Sequence, residues 1–141
     1  MLDLLIRGAR PPWSDAVVRH DIAIRGGRIV EPSPDETASQ VLEADGALVT
    51  PALVEPHIHL DAVLTVGQPR FNTSGSLFEG IAIWGERVRD LSVEDVKRRV
   101  RQVLRWQLAN GVLFVRSHVD VCDPRLVALR ALLELRQEVA G

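Results

Sequence analysis

The chain has 141 residues, 46% hydrophobic and 26% charged, enough for one ordinary globular domain with a core. Its 17 basic and 19 acidic residues leave a formal net charge of −2, so no overall field draws it to nucleic acid or to an anionic membrane, and a small-molecule ligand is the expected partner. The single cysteine, Cys122, excludes an internal disulfide and a cysteine-based zinc cluster and suits a reducing compartment; it is expected as a small packing residue.

At the N-terminus, Asp3 and Arg7 break up the apolar residues, which argues against a signal peptide. No apolar run approaches the ~18 residues of a membrane span. A soluble, cytoplasmic protein is expected. The first fifty residues read as short strands broken by turns. Asp21–Arg25 and Arg28–Val30 flank Gly26-Gly27, the signature of a tight hairpin. Pro32-Ser33-Pro34-Asp35 reads as a polar loop, and Asp45-Gly46 as a turn between Val41-Leu42 and Ala47-Leu48-Val49.

Next comes Val54-Glu55-Pro56-His57-Ile58-His59-Leu60-Asp61. On a strand, alternation sets Glu55, His57, His59 and Asp61 on one side and Val54, Ile58 and Leu60 on the other. Residues i and i+2 lie about 6.5 Å apart along a strand, close enough for two imidazoles to reach one cation. The same H-x-H pattern also suits a pair of solvated or hydrogen-bonded histidines.

Beyond a loop to about Ser76 the chain alternates helix, strand and helix, the grammar of a parallel sheet. A helix is predicted over 93–110, with Ser92 as N-cap, Asp95 in a capping-box position and Gly111 at the stop. Val93, Val96, Val100, Val103, Leu104 and Leu108 form its buried stripe. Lys97, Arg98, Arg101 and Arg105 lie opposite, read as a solvated face in preference to a nucleic-acid patch. A strand over 112–121 places Leu113, Val115, Val119 and Val121 on one side and Arg116, His118 and Asp120 on the other. In a closed barrel the polar set near the strand's C-terminal end points toward the site, so His118 and Asp120 are candidate site residues; a lumen-filling ion pair is the alternative. The last helix is predicted to open on Asp123-Pro124, with a core face of Leu126, Leu129, Leu132 or Leu133, and Val139. Neither His20 nor His118 sits in a local motif that assigns it as a third metal ligand. H-E-x-x-H, Walker, G-x-S-x-G and P-C-x-x-C motifs are absent from the sequence.

The block 54–61, with Gly67-Gln68-Pro69, Ser74-Gly75-Ser76-Leu77-Phe78-Glu79-Gly80-Ile81, Trp106-Gln107, Ala109-Asn110-Gly111 and Val115-Arg116-Ser117-His118-Val119-Asp120-Val121, closely resembles the bacterial cytosine deaminases of the amidohydrolase superfamily. The resemblance runs from about Leu48 to Val139 and more weakly through the β-rich start. It implies an α/β fold: the first two βα units of an amidohydrolase-type (β/α)8 barrel over residues 51–141, preceded by part of a flanking β-sandwich over residues 1–50. It further implies one divalent metal ion, iron or zinc, and hydrolytic deamination of cytosine to uracil and ammonia, with a glutamate shuttling the proton. His57 and His59 match the family's first two metal ligands. Leu77 falls where the family lines its pyrimidine pocket, although ordinary loop packing would also suit it. The complete enzyme could be a homo-oligomer.

The family's third histidine ligand, its acid/base glutamate, its aspartate ligand and its substrate-binding glutamine lie on later strands. A barrel of this type needs ~250 residues, so the chain reads as an N-terminal portion, catalytically incomplete alone, with an exposed sheet edge and poor autonomous stability. Two other readings stand beside it. One is a related amidohydrolase acting on another cyclic amidine or amide, such as isoguanine, a triazine or a hydantoin; the other is a binding module derived from the fold.

Overall fold

The computed structural model describes residues 1–15, 18–33 and 35–139. Pro34, in the predicted polar loop, lies outside them. The chain divides into two compact units, Met1–Pro51 and Ala52–Gly141.

The first unit is a four-stranded sheet of order β3-β2-β1-β4, built from β1 (Leu2–Ala9), β2 (His20–Arg25), β3 (Arg28–Val30) and β4 (Ala38–Glu43). The predicted hairpin joins β2 to β3, with Gly26 and Gly27 at φ of +58° and +70°. Positive φ at both central residues gives the turn whose twist suits paired antiparallel strands, and glycine adopts it without a Cβ clash. The Gly26 N–H is tied to Asp3 Oδ2 at 2.6 Å, which docks the turn onto β1. β1 runs antiparallel to β2 and parallel to β4, in register Leu5↔Ala23 and Leu5↔Val41. Leu2, Leu5 and Ala23 form the small core, with Val30 and Ala38 packed against it. Ala47-Leu48-Val49 makes only a single bridge, Arg10↔Leu48.

The second unit is a two-stranded parallel sheet, β5 (Leu53–His59) beside β6 (Val112–His118), with helices α1 (Leu77–Val88), α2 (Val93–Ala109) and α3 (Val127–Val139). Both strands end earlier than the sequence predicts. Leu60-Asp61 form a turn after β5, and Val119 to Val121 lie outside β6.

α2 starts where its cap predicts: the Asp95 amide donates to Ser92 Oγ at 3.1 Å. The expected return bond of a capping box is replaced, because the Asp95 carboxylate accepts from Arg87, Arg98 and Arg99. Val96, Val100 and Val103 are buried and Val93 and Leu104 pack beside them, but Leu108 is 61% exposed, in the last turn of the helix. The predicted basic face is largely neutralised. Lys97 pairs with Glu134 and Glu138, and Arg101 with Glu138, across to α3.

α3 corrects the sequence reading. The segment Asp123-Pro124-Arg125-Leu126 closes a β-turn, with the Leu126 amide donating to the Asp123 carbonyl at 2.9 Å and Leu126 at φ +51°. The left-handed Leu126 keeps Asp123-Pro124 from acting as N-cap and first helical residue, so the helix begins at Val127. The core face is accordingly Val127, Ala128, Ala131 and Leu135, with Leu132 partly buried beside it. Leu126, Leu133 and Val139 are exposed. Leu91 and Leu60 complete this core. Val115 of β6 and Val119 just beyond it pack against the core as expected, whereas Leu113 and Val121 are 58% and 60% exposed. Cys122 is also exposed, contrary to its expected packing role.

Candidate active site

The parallel register pairs His59 with His118, the last residues of β5 and β6. Because a parallel sheet keeps paired side chains on a common face, this register brings three imidazoles together. The His57 and His118 ring centroids lie 4.0 Å apart, His59 and His118 5.7 Å, and His57 and His59 5.9 Å. Ile58 and Leu60, on the opposite side, pack into the helical core.

The turn after β5 supplies a carboxylate. Asp61 is fully buried. Its Oδ2 accepts the Asp120 amide at 2.8 Å, and its Oδ1 lies 3.4 Å from His59 Nδ1. Arg99 of α2, also buried, donates from Nη1 to the Asp61 and Val63 carbonyls at 3.0 and 2.6 Å. The turn is therefore clamped from beneath by a guanidinium that Asp95 anchors at 3.0 Å. Sequence reading missed Arg99. The available signal was its place inside the apolar arc, three residues after Val96 and next to Val100.

Asp120 makes no ion pair with His118 among the described residues, so the alternative reading of a lumen-filling pair finds no support there. Its Oδ2 accepts the Trp84 indole N–H at 2.6 Å and its Oδ1 the Cys122 amide at 2.8 Å. Hydrogen bonds from Cys122 first, then from Trp84, hold its carboxyl below the usual range against the opposing effect of burial. Asp120 in turn pushes the Cys122 thiol up. A cavity of about 360 Å³ is lined by His59, Asp61, Ala62, Trp84 and Asp120. Trp84 had drawn no attention in the sequence. Leu77, by contrast, is the first residue of α1 and 75% exposed.

His118 is partly buried, and its Nδ1 has no hydrogen-bond partner. Burial, then the proximity of His57, Arg116 and His59, pushes its pKa below the ordinary imidazole value, favouring the neutral form that binds metals. Among the described residues, no three His, Cys, Asp or Glu side chains stand placed to hold a metal ion. The three imidazoles are nonetheless the donor type that iron and zinc accept, and an orphaned ring nitrogen among them suits a cation.

The family model described as "Amidohydrolase family" matches residues 40–138. The chain belongs to the amidohydrolase family. It is 31% identical over 148 residues to the N-isopropylammelide isopropyl amidohydrolase of Pseudomonas sp. strain ADP, covering 97% of this chain and 35% of that protein. Among solved structures, 5-methylcytosine deaminase from Klebsiella pneumoniae liganded with 5-fluorocytosine is 40% identical with a TM-score of 0.85, over 96% of this chain and 33% of that one. N-isopropylammelide isopropylaminohydrolase from Burkholderia multivorans is 32% identical with a TM-score of 0.71, over 98% and 35%. The chain thus spans about a third of the length of these relatives. Its fold is the one they share at their matched portion, as the strand-and-helix grammar predicted.

Proposed function

We propose that this chain is the N-terminal portion of a metal-dependent amidohydrolase that deaminates cytosine or a closely related pyrimidine, releasing ammonia, and that it is inactive alone. The observation that carries this reading is the convergence of His57, His59 and His118 at the ends of two parallel strands, in a chain 40% identical to a deaminase liganded with a cytosine analogue. Catalytic residues at the C-terminal ends of strands are the rule in barrels of this kind.

His57 and His59 would hold one divalent ion, iron or zinc, through neutral imidazole nitrogens. Such an ion supplies Lewis acidity and lowers the pKa of water. The remaining roles fall to the chain. Trp84 and Asp120 shape the cavity wall beside His59, and His118 stands ready as a neutral hydrogen-bonding group for the substrate. Asp120 keeps unused lone pairs on both oxygens for a ring N–H or amino group. Leu77, at the exposed start of α1, is assigned to the apolar side of the pyrimidine pocket. No side chain here is assigned the acid/base role, which the family places on a later strand.

A second reading is supported by the 31% and 32% identity to N-isopropylammelide hydrolases, namely a triazine as the substrate ring. The test is a complete protein carrying this segment, assayed with cytosine, 5-methylcytosine and N-isopropylammelide. Turnover of a pyrimidine with His57→Ala and His59→Ala each losing metal occupancy and activity together is expected. Full iron or zinc content in either variant would remove that residue from the ligand set, and preference for the triazine would favour the second reading.

A further inference from the structure

We infer that Asp61 is a positioning residue whose buried carboxylate fixes the His59 ring in the tautomer that leaves Nε2 free for a metal ion; this rests on the metal reading of His57 and His59. Asp61 has no solvent exposure, and Oδ2 is satisfied by the Asp120 amide at 2.8 Å. Oδ1 is buried with no hydrogen bond, and the group facing it is His59 Nδ1 at 3.4 Å. Arg99 holds the Asp61 main-chain carbonyl at 3.0 Å, which fixes the backbone of the turn, while the Asp120 amide and full burial hold the carboxylate itself.

A neutral imidazole donates through one nitrogen and accepts through the other. A carboxylate oxygen only accepts, so in the neutral ring the 3.4 Å approach is favourable only when Nδ1 carries the proton and Nε2 the free lone pair. Metal-bound histidines characteristically donate their second N–H to a carboxylate in this way. Among the described residues no carboxylate lies within ion-pair reach of the His57 ring, so the two histidines are inequivalent: His59 is oriented in advance and His57 is not.

The decisive variant is Asp61→Asn. The Asp120 amide is a fixed donor, so the new side chain must turn its carbonyl toward it and its NH₂ toward His59. Nδ1 then has to accept, and the proton moves to Nε2. The full chain, labelled with ¹⁵N and free of metal, is examined by long-range ¹H–¹⁵N correlation above the ordinary imidazole titration range, with the His59 signals assigned by their loss in His59→Gln. Expected is the Nδ1–H form in the unaltered chain and the Nε2–H form in Asp61→Asn. In a complete protein carrying this segment, Zn²⁺ affinity measured by competition with a chromophoric chelator should fall by about 10- to 100-fold in Asp61→Asn.

An Nε2–H form or an equal mixture in the unaltered chain overturns the inference, and that measurement stands even if Asp61→Asn fails to fold. An unchanged tautomer in a folded Asp61→Asn overturns it as well. Failure of a complete protein carrying this segment to bind Zn²⁺ through His57 and His59 would sink the metal reading instead, while the tautomer result still decides the role of Asp61.

Discussion

The Trp84 indole N–H donates to Asp120 Oδ2 at 2.6 Å, tying α1 to the segment that follows β6. The bond crosses from the first βα unit to the second and closes one wall of the cavity beside His59. Trp84→Phe keeps an aromatic ring but removes the donor. A hydrogen bond to a charged group contributes about 1.5–3 kcal/mol, so the variant is expected to lose about that much stability in urea unfolding. The Asp120 carboxyl should titrate at higher pH, read from the carbon-13 shift of its side chain. An unmoved titration would mean that Cys122 and the nearby His59 hold Asp120 below the usual range without the indole.

Arg99 is 1% exposed and joins three groups: Asp95 and the carbonyls of Asp61 and Val63. Arg99→Ala would strip buried acceptors of their donor and leave a cavity. Asp95 keeps Arg87 and Arg98, so the loss falls chiefly on the Asp61 and Val63 carbonyls, about 1–3 kcal/mol for a buried acceptor left unpaired. Arg99→Ala is therefore expected to be among the most damaging single changes in this unit, and Arg99→Lys to recover little, since one ammonium cannot serve acceptors spread around a planar fork. Equal stability of the lysine variant in thermal unfolding would show that charge alone matters here.

Arg99 also shows where sequence reading stops. The helix was legible because valines recur at three and four residues and Ser92 caps them, and both signals are local. An arginine within the apolar arc reads as a flank until the strand turn beneath it is known. Likewise Asp123-Pro124 carries a helix-start signature that the chain spends on a β-turn, because the left-handed Leu126 follows. For the site, alternation placed His57, His59 and His118 on inward faces. Their 4.0 to 5.9 Å spacing depends on the parallel register His59↔His118, a long-range pairing that no short motif encodes. Trp84 was invisible for the same reason: its partner lies on another element.

The loop before α1 makes a pH prediction with a definite sign. Hydrogen bonds from the Ser74 hydroxyl and amide, followed by Arg70, outweigh burial and lower the Glu79 pKa from 4.5 to about 2. A pKa lowered by folding stabilises the folded loop above the unfolded value and loses that stabilisation as pH falls through the folded one. The loop contacts should therefore weaken between about pH 4.5 and 2. In hydrogen exchange read over that interval, the Ser74 amide is expected to lose protection, whereas in Glu79→Gln it should already be exchanging faster at neutral pH with little further change on acidification. Constant protection of Ser74 down to pH 2 would show that the loop is held by Asn72 and Ser76 without the carboxylate.

The ion pairs between α2 and α3 yield the last prediction. Lys97 is bridged by Glu134 and Glu138, and Arg101 by Glu138, with Glu138 held below its usual pKa chiefly by Lys97 and then Arg101. Partly exposed pairs of this kind contribute at most about 1 kcal/mol each, so the double change Glu134→Gln, Glu138→Gln should cost little stability, and less still in high salt. Its larger effect is electrostatic, since it uncovers Lys97 and Arg101 beside Arg98 and Arg105. The unaltered chain is expected to bind duplex DNA no more than an acidic control protein does. The double variant should gain weak binding that weakens steeply with salt, as counterion release requires. Strong, salt-sensitive binding by the unaltered chain would revive the nucleic-acid reading of this helix face. No gain in the variant would mean that the remaining acidic surface is enough to repel the duplex.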